Sequence, residues 1–533
     1  MILNSVVTAA NPVDVIPLPH VAFRALLPVF FVLGAALLGL IAEALLPRRD
    51  RFAAQVIITI AGLGAALVTV ILDHNLRLTT PTPGTGGAFF AGSVAIDGTG
   101  LFLQGTILVL AVLATLLIAE RSVESGAIVA SAAVAVGSAE DRRLGRTDRV
   151  QTEIFPLLLF AVGGMLIFPI SNNLIVMFVA LEVMSLPLYL MAGLARRKRL
   201  LSQEASLKYF LLGAFASAFF LYGIALIYGY ADSVDLPQIF AAGATSSRPD
   251  ALLYIGLALL LVGLLFKASV APFHSWTPDV YQGAPTPVSA FMASATKVAS
   301  FGALLRVLYV GFAGEVNNWR PILWAVAIAS MVVGAIWGVT QTDIKRIFAY
   351  SSIAHAGFIL VGLVGLANDN HNASSAVLFY VLSYGFTTLG AFGLLMLVRD
   401  ADGEATGLSA WAGLGKRSPF LAALMTLFLL SMAGIPLTAG FVGKFMVFRA
   451  AWHVAGPLVI LALVFSAIAA FYYLRVVVLM YFAEPPENAP TVAIPGWSST
   501  VALTVAVLGT VVLGVFPQPV LDLASKAAAT LIG

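Results

Sequence analysis

The sequence contains no cysteine, and only 10% of its 533 residues are charged. Without thiols it can form no disulfide, and it cannot supply the thiolates that iron–sulfur clusters require. It also lacks a P-loop, an HExxH motif and a convincing dinucleotide fingerprint, so neither an ATPase nor a redox centre is legible in it. The formal net charge is +3, and the basic residues sit in short clusters rather than along one face, which leaves no footprint for nucleic acid. No positive segment precedes the first apolar run, so a cleaved secretory signal is not expected.

What the chain has in abundance is apolar: 60% of it is hydrophobic. Runs of about 17–25 residues, enough to cross a bilayer as a helix, fall near 25–46, 53–72, 101–119, 154–170, 174–194, 205–230, 251–272, 283–312, 319–340, 346–366, 374–398, 419–449, 457–483 and 499–516. The reading is an all-α polytopic membrane protein with about fourteen transmembrane helices. PRRDR (Pro47 to Arg51), the Arg142 to Arg149 segment, ARRKR (Ala195 to Arg199), DIKR (Asp343 to Arg346) and GKR (Gly415 to Arg417) fall on alternate loops. The opposite loops and tails hold Arg77, Arg248, Arg320 and Lys526. By the positive-inside rule the basic loops are cytoplasmic and both termini lie outside.

The chain divides into three N-terminal helices (1–119), a cytoplasmic insertion (120–153), five-helix units at 154–312 and 319–483, and a last helix with its tail (484–533). The Thr79 to Gly100 stretch reads as an external turn or hairpin with no chemistry. Two spans are broken in a related way. In the seventh, Pro272 removes the amide that would bond the Ala268 carbonyl, one residue beyond Lys267; in the twelfth, GIP (Gly434 to Pro436) interrupts the run before Lys444. Unwound backbone at membrane depth is tolerated only inside protein or beside water. Corresponding breaks point to two inverted five-helix repeats, spans 4–8 and 9–13, with a transport site between them.

A charge at the centre of a membrane helix costs roughly 2.5–3.5 kcal/mol on insertion scales. Four candidates carry that cost: Glu182, the only charge in its span; Lys267, which ends the run ALLYIGLALLLVGLLF; Lys297 on the next span; and Lys444. Any one of them could be a structural ion pair. Together they cost on the order of 10–14 kcal/mol, comparable with a whole domain's stability, which favours function. A lysine taken out of water falls from about 10.4 toward neutrality, and a carboxylate within ~4–6 Å reverses this. Motion of Glu182 relative to Lys267 would therefore load or expel a proton.

His274, in PFHSWTPD, and His355, in YSSIAHAGF, suit either proton relay or a hydrogen-bonded structural role. Lys208 has Glu204 four residues before it, so it is either a local ion pair or a member of the relay. Asp279 reads as a turn or cap residue. Arg24, Arg306, Arg449 and Arg475 lie near span ends, where snorkelling to the interface accounts for them.

ALEVMSLPLYLM, LLFKASVAPFHSWTPDVYQGAPTPVSAFMASATK, DIKRIFAYSSIAHAGF and AGIPLTAGFVGKF make roughly residues 150–485 resemble the antiporter-like membrane subunits of respiratory complex I, themselves related to Mrp-type cation/proton antiporter subunits. The 120–153 insertion is not part of that pattern. The resemblance implies a proton-translocating subunit of a bacterial plasma-membrane NADH:quinone oxidoreductase, beside sister antiporter-like subunits in the bilayer. NADH, flavin, iron–sulfur clusters and quinone would bind to partner subunits and no cofactor to this chain. Glu182 would pair with Lys267, Lys297 would be the central relay and Lys444 the lysine of the outer half-channel, with Lys208 and His355 on the same polar axis. The alternative is a subunit of an Mrp-type sodium/proton antiporter. A membrane scaffold, in which the buried charges only lock helices, is a third reading.

The absence of native cysteine makes the topology directly testable. Cysteines introduced at Arg197 and Lys416 should react only from the cytoplasmic side of intact cells, and one at Arg248 only from outside. Labelling of Arg197→Cys and Arg248→Cys from the same face would overturn the assignment.

Overall fold

The computed structural model describes residues 23–78, 87–90, 92–123, 151–195, 198–365, 371–400 and 403–531. Most of the 120–153 insertion, with Arg142 to Arg149, lies outside the described residues, as do Arg196 and Arg197. The helices are α1 Leu27–Leu45, α2 Arg48–Leu78, α3 Gly98–Ile118, α4 Ile154–Ile167, α5 Leu174–Ala192, α6 Arg199–Ala231, α7 Leu236–Thr245, α8 Asp250–Lys267, α9 Trp276–Gly283, α10 Thr286–Arg306, α11 Val316–Thr340, α12 Ile344–Val364, α13 His371–Leu395, α14 Leu414–Arg417, α15 Pro419–Ala433, α16 Ala439–Phe482, α17 Trp497–Val515 and α18 Gln518–Ala528. Among the described residues twelve helices are long and apolar enough to cross a membrane, and the apolar helices Ile154–Ile170 and Pro419–Ala433 are shorter.

In hydrocarbon no water can satisfy a free N–H or C=O, so apolar runs of this length are stable only as helices. Their ends are closed by side chains where polar residues allow. Asn173 accepts from the amides of Ile175 and Val176, and Asp343 from that of Arg346. The helices α10, α12 and α13 are buried nearly throughout, while α2, α6 and α16 turn much of their apolar surface outward, including Phe215, Ile460 and Phe471. Lys297 of α10 and His355 of α12 therefore sit deep inside the molecule, screened by an apolar belt.

Two expected spans end differently from the sequence reading. The seventh stops at Lys267, before Pro272, and resumes as the short α9. The twelfth stops at Ala433, and its second half is joined to the thirteenth in α16 through a corner at Ala455, two residues before Pro457. A proline there removes one amide from the helical ladder and accounts for the corner.

The non-helical parts are small. Strands β1 Gly87–Phe89 and β2 Val94–Ile96 form an antiparallel hairpin, and β3 Val398–Asp400 lies between β4 Gly403–Glu404 and β5 Thr491–Val492. The first hairpin is not free of chemistry. Asp97, just after β2, caps α3 through the Gly100 amide and forms a 2.7 Å ion pair with Arg306, with both side chains fully buried. Arg306 also donates to the Pro169 carbonyl at 2.7 Å. It does not snorkel: the carboxylate and carbonyl that satisfy it lie inside the protein. At the end of the molecule bearing the basic loops, Glu404 accepts from Thr286 at the start of α10 and pairs at 2.9 Å with the buried Lys345 of α12. That contact ties the β3–β4 turn to both central helices.

Removing one partner of a buried pair leaves the other uncompensated and costs about 3–5 kcal/mol. Arg306→Leu should therefore sharply lower the amount of folded chain in the membrane, and adding Asp97→Asn should recover part of the loss. Glu404 adds a pH dependence. Burial pushes its carboxyl up, but Lys345 and the Thr286 hydroxyl outweigh this and hold it below the ordinary value of 4.5. Its stabilising contribution is thus present above about pH 4.5 and is lost as the pH falls through the depressed value. The thermal midpoint of Glu404→Gln should lie below that of the parent at neutral pH, and the gap should narrow as the medium is acidified past that point.

Candidate functional site

The helix ended at Lys267 leaves backbone groups without helical partners, and the structure accounts for them one by one. Pro272 has no amide to give the Ala268 carbonyl. That carbonyl instead accepts from the Lys297 ammonium of α10 at 3.1 Å. The Ala271 amide finds the Ser330 hydroxyl of α11 at 2.9 Å, and the Trp276 indole donates to the Phe266 carbonyl at 3.0 Å, bridging the gap between α8 and α9. Ser269 adopts a left-handed φ of 60° at the turn.

The second break repeats this logic. The helix ends in a turn in which the Gly434 and Ile435 amides both return to the Leu430 carbonyl, leaving the Met432 carbonyl without a helical donor. Lys444 supplies its donor, at 2.9 Å to Met432 and 3.0 Å to the Ala433 carbonyl, with a third bond of 2.9 Å to Ser466. Gly434 takes the left-handed φ of 86° that a side chain would resist, and a Cβ on Gly440 would overlap the Ser431 carbonyl. A half-helix C-terminus carries the negative end of the helix dipole, so each break offers an ammonium both acceptors and favourable charge.

The two breaks are connected through α12. Lys297 donates at 2.8 Å to the Ser352 carbonyl, one turn before His355 on the same helix. The His355 ring bonds the Tyr380 hydroxyl at 2.8 Å through Nδ1, and its Nε2 lies 3.4 Å from the Tyr473 hydroxyl, which also bonds Ser351. His355 interacts electrostatically with both Lys297 and Lys444 and reaches the Met432 carbonyl that Lys444 occupies. Ala268, Lys297, Ser352, His355, Met432 and Lys444 thus form one continuous polar line through the interior.

Lys267 stands at the near end of this line, beside Ala268. Its ammonium bonds the Tyr209 hydroxyl at 3.0 Å and lies 5.5 Å from the centre of the Tyr189 ring. Tyr209 stacks on Trp276 at 4.5 Å. Glu182, expected in contact with Lys267, is held by the Ser217 hydroxyl of α6 and is only partly buried. No ion pair joins it to Lys267, on which it acts through space.

The other candidates lie off the line. Lys208 pairs at 2.8 Å with both Glu204 and Asp279, and Arg346 binds Asp279 at 2.9 Å. Asp279 is therefore the hub of an ion-pair cluster rather than a cap. His274 is partly buried, and its Nδ1 has no hydrogen-bond partner among the described residues. Sequence reasoning missed Tyr189, Tyr209, Tyr380, Tyr473 and Ser466; tyrosines and serines in apolar spans carry no spacing signal that marks them as lysine or histidine partners. Beyond Lys444 a cavity of about 420 Å³ continues past Ser466 to Arg449 and His453, between the rings of Phe441, Phe445 and Trp452.

Comparison with known proteins gives a consistent picture. A family model described as NADH:quinone oxidoreductase/Mrp antiporter, TM matches residues 171–470. The NADH-quinone oxidoreductase subunit N of Acidothermus cellulolyticus is 55% identical, with 97% of this chain and 98% of the relative covered. That of Mycobacterium tuberculosis is 50% identical, with 97% and 100% covered. Among solved structures, a chain of respiratory complex I from Thermus thermophilus with bound aureothin is 34% identical with a TM-score of 0.72, over 94% of this chain and 99% of that one. A chain of the Mrp complex from Dietzia sp. DQ12-45-1b shares the fold at a TM-score of 0.77 and 21% identity, over 95% and 97% of the two chains.

Proposed function

The chain belongs to the NADH:quinone oxidoreductase/Mrp antiporter family of membrane subunits, and on that premise we propose that it is the proton-translocating subunit N of an NADH:quinone oxidoreductase. The observation that carries the proposal is the line of buried lysines running through α12 between two broken helices. Four titratable nitrogens, on Lys267, Lys297, His355 and Lys444, lie along one internal path. Each is held by neutral carbonyl or hydroxyl oxygens and none by a carboxylate, so a proton can leave without breaking an ion pair.

In this reading Glu182 favours a proton on Lys267 through space, Lys297 passes charge between the two halves, His355 bridges, and Lys444 releases to the outer side. Lys208, with Glu204, Asp279 and Arg346, and His274 beside the first break, would form the cytoplasmic approach. The breaks after Lys267 and Ala433 support two inverted repeats, 154–312 and 319–483. The basic loops would face the cytoplasm of a bacterium, with both termini outside its plasma membrane. NADH, flavin, iron–sulfur clusters and quinone would be handled by partner subunits, with sister antiporter-like subunits alongside in the bilayer. An Mrp-type sodium/proton antiporter subunit would share the fold, but the high identity over the whole chain is to subunits of the redox enzyme. Flavin and iron in the purified complex separate the two.

The deciding experiment is turnover per assembled complex, with assembly checked on a native gel. Lys267→Ala should lower both proton pumping and quinone reduction by about tenfold or more while the complex still assembles. Glu182→Gln should have a smaller effect, since that side chain does not touch the lysine. Normal pumping and turnover in an assembled Lys267→Ala complex would refute the proton-carrier role.

A further inference from the structure

A cavity of about 530 Å³ opens between α2, α3, α13, α17 and α18, and no residue of the polar line enters it. It exists because α2 and α17 both pack on α3 and leave a wedge between them. Gly105 of α3 forms the floor, where a Cβ would meet nothing nearer than a Val70 methyl at 3.6 Å. The walls are hydrocarbon, from Val70 and Ile71 on α2 to Val505 and Leu508 on α17. Of the lining side chains Thr106 alone carries a polar atom, and its hydroxyl donates to the Phe102 carbonyl of its own helix at 2.8 Å. Water needs about two to four polar partners to stay in such a space, whereas hydrocarbon gains dispersion contacts from every wall. The cavity therefore suits an apolar occupant.

Its extent selects among apolar occupants. On α3 it runs from Leu101 to Val109, about 12 Å along the axis, which is close to one leaflet of a hydrocarbon core about 30 Å thick. On α2 and α17 likewise it occupies the part nearer α18. That helix closes the end: Val520 and Leu523 line the roof, and the Thr99 hydroxyl of α3 donates to the Ala527 carbonyl at 3.0 Å. A spanning helix of a neighbouring subunit needs the whole bilayer thickness and a through passage, which the roof denies. A fatty acyl chain needs one leaflet only and enters sideways, between the exposed Ile71 and Leu508.

The roof also carries charge. Lys526 stands one turn beyond Leu523, exposed and without an ion pair among the described residues. Asp522, four residues before it, is engaged by the Gln518 amide at 2.7 Å. An ammonium is thus free at the surface, at the height of a lipid phosphate. We propose that the groove binds one acyl chain of an anionic phospholipid from the leaflet on the side of α18, with the Lys526 ammonium at its phosphate. In the topology proposed above this is the outer leaflet. The chain fills the wedge and ties α2 and α17 to α3, the helix that Asp97 and Arg306 anchor to the core.

The test uses the assembled complex, purified in detergent and stripped of loosely held lipid. Phosphatidylglycerol with a photoreactive diazirine in its acyl chain is added at a low ratio to detergent, and after irradiation the adducts are located by peptide mass spectrometry. Adducts on the groove peptides of α2, α3 and α17 should be about tenfold denser than on the lipid-facing Phe215 peptide of α6, the worth of roughly two methylenes of buried chain. Gly105→Phe fills the floor and Val505→Phe the mouth, so each should remove that excess and leave the α6 adducts unchanged. Lys526→Ala should lower labelling of the groove to that given by a phosphatidylcholine with the same label. Groove adducts no denser than those on α6 would overturn the proposal in the parent complex alone, whether or not the filled variants assemble. An excess that persists in assembled Gly105→Phe and Val505→Phe complexes would overturn it equally. Equal groove labelling by the two lipids in the parent would refute the Lys526 contact and the preference for an anionic headgroup.

Discussion

Every carbonyl in the hydrocarbon core must find a donor, and this chain twice withholds one by ending a helix inside the molecule in a left-handed turn, at Ser269 and at Gly434. An unsatisfied backbone group at that depth costs several kcal/mol, as does an unaccompanied lysine. At the breaks after Lys267 and Ala433 the two deficits cancel: the lysine needs oxygens, and the interrupted helix has oxygens to spare. Neither the breaks nor the charges would be tolerable alone. Packing follows from this, because α10 and α12 must run through the middle of the molecule for Lys297 to reach Ala268 on one side and Ser352 on the other.

The choice of neutral oxygens rather than carboxylates has chemical consequences. The Arg306 and Asp97 side chains form a buried pair that must stay charged to stay satisfied, and an arginine cannot give up its proton. That pair serves to fix α3 against α10. Lys297 and Lys444, by contrast, can shed a proton without stranding an anion, since a carbonyl is neutral in both states. The same membrane interior thus holds two kinds of buried cation, one bound to a carboxylate and the others to neutral oxygens.

Much of this was legible in the chain itself. Apolar run length located the helices, and the two prolines located the breaks, because both signals are local in sequence. The partners were not legible, because they are brought together over long distances. Asp97 and Arg306 stand 209 residues apart, and nothing in a hairpin before a helix or an arginine at a helix end announces that they meet. Asp279 looked like a cap because the alternative needed Arg346 from another span. Glu182 was expected to pair with Lys267 because it is the only charge in its span and the family resemblance implies the pair, whereas Tyr209 holds the lysine and Ser217 the acid. Only the orphaned carbonyl of Ala268 could be named in advance, because proline chemistry points to one residue.

The arrangement also explains how charge at one break can matter at the other. Lys297 and Lys444 do not touch, yet both interact with His355, and both bind main-chain oxygens at the ends of polar segments around it: Ser352 on its own helix and Met432 across from its ring. In a medium of low dielectric such like-charge neighbours repel strongly. In the proton-carrier reading, charges on His355 and on either lysine would therefore compete, which is how one break would be felt at the other. Sequential occupancy along the line would follow, in that reading, from Coulomb's law and from the fixed seats at the two breaks, without any further moving part.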